Sequence, residues 1–190
     1  MKEQEPMRVP RISRRAALGG IGGSVVAALT LNPRAAAAKQ PAGKGKDAQS
    51  VDPLDRRGCT ATLLDGGVVL VAGGFGSAPL SAAQILDPRT GLWYDAAPMN
   101  IPRHRHAAVS LSEGRVLVMG GMSSQALASA EIYDPRADNW ELVSPMNGPR
   151  WDHAATELEG HDVLVTGGFF EAALSSVEIY DSKRDRWTLL

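Results

Sequence analysis

Short apolar runs and polar turns alternate along the second half of the chain. Residues 107–111 (AAVSL) and 116–121 (VLVMGG) are apolar runs separated by a polar turn. Residues 130–134 (AEIYD) alternate between two faces, and a further run, WELVS at 140–144, follows the turn PRADN. Continuous apolar runs of this length are typical of buried strands, and strict alternation is typical of a strand with two different faces. The pattern predicts four short strands joined by turns in an antiparallel meander.

The same pattern recurs with one period. Trp93, Trp140 and Trp187 are separated by 47 residues each, and no insertion breaks this register. No copy contains a segment of about ten residues with helical spacing, which argues against helical repeat arrays. Four strands in about 47 residues are typical of one blade of a β-propeller. The other positions that keep the spacing include Gly73, Gly120 and Gly167, each followed by a second glycine (Gly74, Gly121, Gly168), and Arg56, Arg103 and Arg150.

The order of residues within each copy resembles the kelch repeat. A Gly-Gly pair follows the second strand, Glu-x-Tyr-Asp follows in the third, and tryptophan comes six residues after that aspartate. The resemblance implies that the paired glycines end crowded strands and that Tyr133, Tyr180 and the three tryptophans pack between blades. Copy one departs, with Gln84 and Leu86 in place of Glu and Tyr. The WD40 repeat fits less well, because the one Trp-Asp pair, Trp151–Asp152, precedes a first strand and does not recur.

We therefore predict an all-β, kelch-type propeller of three four-stranded antiparallel blades, an incomplete ring. The blades are expected at about 56–102, 103–149 and 150–190. Residues 39–55 are rich in Gly, Pro and Lys and are expected to be a flexible linker. Three blades are fewer than the four to eight that close most propellers. We expect either a homodimer that completes a six-bladed ring or further blades in a longer gene product.

Residues 1–38 are expected to be an export signal. Arg8, Arg11, Arg14 and Arg15 precede a mildly apolar stretch, and Ala35–Ala38 offers a cleavage site. Arg14–Arg15 after Ser13 resembles the bacterial twin-arginine (Tat) signal, although Ala17 stands where that pattern prefers Phe. The resemblance implies export across the bacterial cytoplasmic membrane, to the periplasm or beyond.

Composition narrows the function further. The chain has 20 basic and 21 acidic residues and one cysteine, Cys59, so an intrachain disulfide is excluded. From about Lys39 onward acidic residues outnumber basic ones, and no basic patch argues for nucleic acid. No Ser-His-Asp motif, phosphate loop or metal-ligand spacing is present, so we predict no catalytic residue, metal or cofactor.

The resemblance implies a binding rim at the end of the blades where each first strand begins. Arg56, Arg103 and Arg150 would lie there, and guanidinium groups suit carboxylate or sugar ligands because they bond two oxygens at once. The alternative is that each arginine pairs with an acid of its own loops. His106 and His153 are further rim candidates, either as ligands or as rings bonded to neighbouring backbone.

The expected function is an exported module that holds a protein or a glycan at this rim. The alternative is a carbohydrate-active enzyme similar to galactose oxidase or sialic acid mutarotase. A site similar to that of galactose oxidase needs Cys and Tyr beside histidines, and Cys59 and Tyr94 form no such motif. A site similar to that of sialic acid mutarotase needs acid and base groups, for which Asp152, His153 and Glu171 are the candidates. The pattern favours a binding module over an enzyme.

Overall fold

Residues 56–190 fold into three four-stranded antiparallel sheets, which confirms the predicted all-β architecture of three blades in a partial propeller. The computed structural model describes residues 56–190, so the predicted export signal and linker lie outside the described residues. Within this range no helix has the length and apolar character needed to cross a membrane. Blade 1 contains β1 (Thr60–Leu63), β2 (Val69–Ala72), β3 (Ala83–Asp87) and β4 (Leu92–Ala96). Blade 2 contains β5 (Ala107–Ser110), β6 (Val116–Met119), β7 (Ala130–Asp134) and β8 (Asn139–Val143).

Blade 3 carries an additional hairpin. Its sheet consists of β9 (Ala154–Glu157), β10 (Val163–Thr166), β13 (Val177–Asp181) and β14 (Arg186–Leu189). Between β10 and β13, the short strands β11 (Phe169–Phe170) and β12 (Ala172–Ala173) pair with each other. In blades 1 and 2 a short 3-10 turn, Asp65–Gly67 or Ser112–Gly114, connects the first strand to the second.

Strand register brings the repeated aromatic residues together within each blade. Tyr133 on β7 is opposite Trp140 on β8, and their ring centroids are 5.0 Å apart. Tyr180 and Trp187 repeat this pair in blade 3, with centroids 4.9 Å apart. All four side chains are buried. In blade 1 the corresponding pair is Leu86 with Trp93, because copy one has leucine at the tyrosine position.

The apolar core lies between blades. One cluster joins blade 1 to blade 2, and a second joins blade 2 to blade 3. The first strands of neighbouring blades, β1, β5 and β9, lie side by side. Blade 2 therefore uses one sheet face against blade 1 and the opposite face against blade 3. The first cluster includes Leu70, Ile85, Met99, Val118, Tyr133 and Trp140, and the second includes Leu117, Ile132, Met146, Val165, Tyr180 and Trp187.

Hydrogen bonds tie blade 2 and blade 3 to the links that lead into them. Trp140 Nε1 donates to the carbonyl of Ala97 at 2.7 Å, and the Ala97 N–H donates to Asp138 Oδ1 at 2.9 Å. Asp138 also accepts the Tyr133 hydroxyl at 2.8 Å. Trp187, Asp185 and Tyr180 repeat the arrangement around Ser144 at the next junction. The repeated decamer therefore holds the link between blades, in addition to packing between them.

The Gly-Gly pairs allow close approach of neighbouring chain segments. The N–H of Gly121 donates to the carbonyl of Arg150 at 2.8 Å. A Cβ added to Gly120 would lie 2.5 Å from that same carbonyl oxygen, and Gly120 has φ 63°. A side chain at this position would meet rigid backbone and would also adopt a left-handed conformation.

Candidate functional site

The turns that lead into the three first strands form a rim at one end of the blades. Each lead-in residue bridges the residue that follows a Gly-Gly pair: Arg57 with Phe75, His104 with Met122, and Trp151 with Phe169. The next residue in each turn has positive φ: Gly58 at 68°, Arg105 at 55° and Asp152 at 50°. We call these residues the rim: Arg57, Gly58, Phe75, His104, Arg105, Met122, Trp151, Asp152 and Phe169.

Backbone hydrogen bonds connect the three turns. Arg105 N donates to Gly58 O at 2.7 Å, and Asp152 N donates to Arg105 O at 3.0 Å. The left-handed conformation at these positions is uncommon for residues other than glycine, and it is held here by the bond to the next turn. The ladder fixes the backbone of the rim, and the side chains that it leaves exposed are those of Arg57, Phe75, Arg105, Asp152 and Phe169.

Aromatic and charged side chains cluster at the blade 2 and blade 3 turns. Trp151 and Phe169 stack with ring centroids 5.2 Å apart, and the Arg105 guanidinium carbon lies 4.9 Å from the Trp151 ring centroid. Arg105 also forms an ion pair with Asp152 at 3.7 Å, with 49% and 43% of the two side chains exposed. A cation held over an indole ring gains from the electrostatics of the ring face. The cluster is a partly hydrated surface that combines an aromatic platform with one charge of each sign.

Phe75 and His104 form a second aromatic contact on the rim. Their ring centroids are 5.0 Å apart in an edge arrangement. Burial, followed by the positive charge of Arg105, lowers the pKa of His104 below its ordinary value. The imidazole is therefore neutral at pH 7, and Arg105 is the cation at this part of the rim.

The β11–β12 hairpin extends the rim beside blade 3. Phe169 and Phe170 are 45% and 40% exposed, and Glu171 at the turn has φ 59°. The corresponding positions in the other copies are Met122–Ser123 and Phe75–Gly76, so two adjacent exposed phenyl rings occur only in blade 3 of the described blades. Exposed aromatic residues next to charged ones are typical of protein interaction surfaces.

The structure places two of the predicted rim arginines inside the blades. Arg103 is 0% exposed, and its Nη2 donates to Glu131 Oε1 at 2.8 Å, while its Nη1 donates to the carbonyls of Gly120 and Ser129 at 2.9 Å each. Arg150 is 2% exposed and repeats the arrangement with Glu178 at 2.5 Å. This differs from the expectation of guanidinium groups that face a ligand. It matches the alternative of internal pairing, except that the acids belong to strands β7 and β13 rather than to loops.

Each glutamate also holds the link that carries its arginine. Glu131 Oε2 accepts the Asn100 backbone N–H at 2.7 Å and its side-chain amide at 2.9 Å, and Oε1 accepts Ile101 N at 3.1 Å. Glu178 bonds Asn147 in the same way. The repeated arginine and glutamate thus orient the link and the lead-in turn, and through them the exposed rim residues that follow.

Arg56 has a different environment. Its copy has Gln84 at the glutamate position, and the Gln84 amide donates to Asp95 at 3.1 Å instead. Arg56 Nη1 and Gln84 Oε1 are buried atoms without a hydrogen-bond partner among the described residues. The third predicted rim arginine therefore lacks the internal carboxylate that the other two have, and a ligand role for Arg56 stays a prediction.

The two candidate histidines lie at the start of inner strands. His106 is 7% exposed, and its Nε2 shares a hydrogen bond with Thr60 Oγ1 at 2.9 Å, a side chain of the preceding blade. His153 has no partner in the described chain at either ring nitrogen, because Ala107 occupies the position that corresponds to Thr60. Burial, followed by nearby arginine charge, lowers the pKa of His106 to about 3 and that of His153 to about 4. Both rings are therefore neutral packing groups at pH 7.

Within residues 56–190, no set of three or more His, Cys, Asp or Glu side chains is placed to hold a metal ion. Cys59 is a free thiol whose pKa is raised, mainly by burial. Tyr133 and Tyr180 have raised pKa values because of burial and because they donate to Asp138 and Asp185.

Sequence reasoning named Asp152 only as an acid candidate and missed the other members of this cluster. Arg105 and Trp151 lie one or two positions from residues that repeat, but they do not repeat themselves, and Phe169 recurs only as Phe75. Residues identical in every copy serve contacts that every blade makes, whereas a varying position is free of that constraint. The variation among the three lead-in segments was the sequence signal that could have identified these residues as candidates for binding.

Comparison with known proteins agrees with this architecture. The family model described as the kelch motif matches residues 56–100, 102–147 and 160–190. The curated protein sequences contain no match to the chain.

Proposed function

Because the chain belongs to the kelch-repeat family, we propose that it is an exported binding module that holds a protein on its rim. The observation that carries this proposal is a cluster on a hydrogen-bonded backbone ladder, in which the exposed Arg105, Asp152 and Phe169 surround the half-buried Trp151. A rigid scaffold with variable turns at one end is the usual place for recognition residues.

Of the two ligand classes that the sequence suggests, the rim favours a protein over a glycan. Arginine and aromatic side chains are enriched at the energetic centres of protein interfaces. Phe169 and Phe170 offer adjacent apolar rings, whereas Trp151 is already in contact with both a phenyl ring and a guanidinium group. The exposed phenyl rings can contact an apolar side chain of a partner protein, and the Arg105–Asp152 pair can hydrogen-bond to the polar groups around that side chain.

The test compares a rim variant with a matched control. Wild type, the double variant Phe169→Ser/Phe170→Ser, and Leu142→Ser are immobilised and exposed to the extracytoplasmic fraction of the producing bacterium, and bound proteins are quantified. Leu142 is 54% exposed on β8, the edge strand of blade 2 that is opposite β5. We expect a protein retained by wild type and by Leu142→Ser to be reduced at least tenfold on the double variant. Equal retention of the protein on all three baits would show that the rim is not the binding surface. Binding of the wild-type module to a glycan array would show that its ligand is a sugar rather than a protein.

The alternative of a carbohydrate-active enzyme receives no support from a specific contact. Tyr133 and Tyr180 are engaged in links between blades, and Asp152 is engaged with Arg105. Substituting Arg103 or Arg150 would change stability rather than test a ligand site, because both side chains are buried in ion pairs.

Export is proposed from the Arg14–Arg15 pair in the segment that precedes the linker. The Tat route carries folded proteins, which suits a repeat domain without disulfides. Replacing both arginines with lysine should retain the protein in the cytoplasm, measured by fractionation and immunoblotting. Unchanged export of the Arg14→Lys/Arg15→Lys variant would contradict this assignment.

A further inference from the structure

We propose that two copies of this chain join head to tail, blade 3 of each against blade 1 of the other, to form a closed six-bladed ring. Every junction inside the chain pairs two different sheet faces. In the junction between blades 2 and 3, Leu117 and Ile132 of blade 2 meet Val165 and Tyr180 of blade 3 in one buried cluster. Blade 1 and blade 3 each keep one face of this kind that no other described blade covers.

The two uncovered faces are the two halves of the same junction. By register, Leu164 and Ile179 of blade 3 correspond to Leu117 and Ile132. On blade 1, Val71 and Leu86 correspond to Val165 and Tyr180. A second copy therefore presents the face that blade 3 needs, in the arrangement that the chain already makes twice.

Backbone groups at the two ends are complementary in the same way. Each internal junction has a Gly-Gly bond, Gly74 N to Arg103 O at 2.9 Å and Gly121 N to Arg150 O at 2.8 Å. Among the described residues, the next donor in this series, Gly168 N–H, and the preceding acceptor, Arg56 C=O, have no partner. The lead-in ladder likewise ends with a Gly58 N–H donor and an Asp152 C=O acceptor that bond no described residue. Head-to-tail pairing satisfies all four groups.

Blade 1 also lacks the side chains that bind the chain segment leading in from a preceding blade. Gln84, Leu86 and Gly91 occupy the positions equivalent to Glu131, Tyr133 and Asp138. Those three residues bind the link from the preceding blade at the other junctions. The uncovered face of blade 1 is therefore suited to a blade that arrives from a separate molecule.

The expected area is sufficient for a stable dimer. Four strands of about five residues cover on the order of 300 Å² of sheet face, from strand spacing and rise. Two junctions, each burying two such faces, give about 1,200 Å², which reaches the range of specific protein interfaces. Six blades are also within the four to eight that close a propeller. Closure extends the rim into a ring of six lead-in turns, with the partner's Asp152 beside Gly58.

Gly167 provides a sharp test. A Cβ on the equivalent Gly120 would lie 2.5 Å from Arg150 O, whereas at Gly167 the nearest atom is Leu174 O at 3.7 Å. Gly167→Ala therefore adds left-handed strain but no clash within one chain, and it blocks the approach of the partner's Arg56 carbonyl. Gly160→Ala is the matched control, since Gly160 also has a left-handed φ, 89°, and a Cβ added there would meet nothing within 4 Å.

The masses of the full chain and its variants are measured by light scattering at micromolar concentration, with circular dichroism to verify folding. We expect wild type and Gly160→Ala at twice 20.1 kDa, and Gly167→Ala, Leu86→Lys and Ile179→Glu at the mass of one chain, with at least a 100-fold weaker dissociation constant. Mixing Leu86→Lys with Ile179→Glu should restore the dimer, because one junction is then unaltered and the other pairs opposite charges.

Several outcomes would overturn the proposal. A folded wild-type monomer would show that the faces are not covered by a second copy. Open polymers would contradict ring closure, and a dimer unaffected by all three end variants would place the contact elsewhere. Failure of the mixed variants to associate while each remains folded would indicate a different pairing of faces.

Discussion

Replacing Glu131 with glutamine should strongly destabilise the domain, because Glu131 is the buried partner of Arg103. Glu131 is 0% exposed and accepts four hydrogen bonds, from the Arg103 guanidinium, from the Asn100 backbone and side-chain amides, and from Ile101 N. The Glu131→Gln variant keeps the shape but removes the negative charge. It also places an amide donor where only donors surround it.

The magnitude follows from the burial of the pair. Arg103 is 0% exposed, so its charge would be left without a counter-ion inside the blade. Breaking a buried ion pair by removing one partner typically costs about 3–5 kcal/mol, since the remaining charge stays desolvated. This is a large share of the about 5–15 kcal/mol by which most domains are stable. We expect a loss of about 3–5 kcal/mol in the free energy of unfolding.

The assay is urea unfolding followed by tryptophan fluorescence, with hydrogen exchange at the link amides as a local measure. Glu141→Gln is the control, because Glu141 is exposed on the adjacent strand β8 and its loss should change stability by less than about 0.5 kcal/mol. The Asn100 and Ile101 amides should lose protection in Glu131→Gln alone. A loss below about 1 kcal/mol with unchanged exchange would refute the view that this pair secures the link.

Three further predictions concern the junctions. Because burial lowers the pKa of His106 to about 3 and that of His153 to about 4, the folded state binds fewer protons than the unfolded state below pH 6.5. The stability present above that pH should fall toward pH 4 by up to about 1.4 kcal/mol per pH unit for each histidine, and urea titrations of His153→Gln should show a smaller slope. Thr60→Ala should lower the free energy of unfolding by about 1 kcal/mol, because His106 loses its hydrogen-bond partner. Ala107→Thr should raise it by about 0.5–1 kcal/mol, because the new hydroxyl gives His153 a partner. Melting temperatures of the two variants that do not move in opposite directions would contradict this prediction. Trp140→Phe should lower the free energy of unfolding by about 1–3 kcal/mol, because the carbonyl of the preceding link loses its buried donor, and chemical denaturation measures the loss.

The repeated residues made the fold predictable. The period of 47 residues and the apolar runs, such as VLVMGG, predict which positions are buried in every blade. A blade can bury these positions only against a similar neighbouring blade. The aromatic pair Tyr133–Trp140 and the glycines Gly120 and Gly121 take up such positions between blades. Local pattern and global packing agree here, since the same contact is made at each junction.

The rim was less predictable because side-chain direction in a turn depends on contacts distant in sequence. Arg103 and Arg105 are two residues apart, but one is buried against Glu131, 28 residues along the chain, and the other lies half-exposed over Trp151. The left-handed conformation of Arg105, held by Gly58 of the preceding blade, separates the two. No periodicity within one copy contains that information.

The sequence by itself determined the blades, their number among residues 56–190 and the positions that pack between them, because a strict period imposes the same burial on each copy. Only the tertiary structure decided which residues pair and which reach solvent. The acid that neutralises each arginine, the donor that meets each histidine and the platform beneath Arg105 all come from other strands or other blades. Such contacts exist only once the sheets are stacked, since stacking is what removes water from one side of a turn and leaves it on the other.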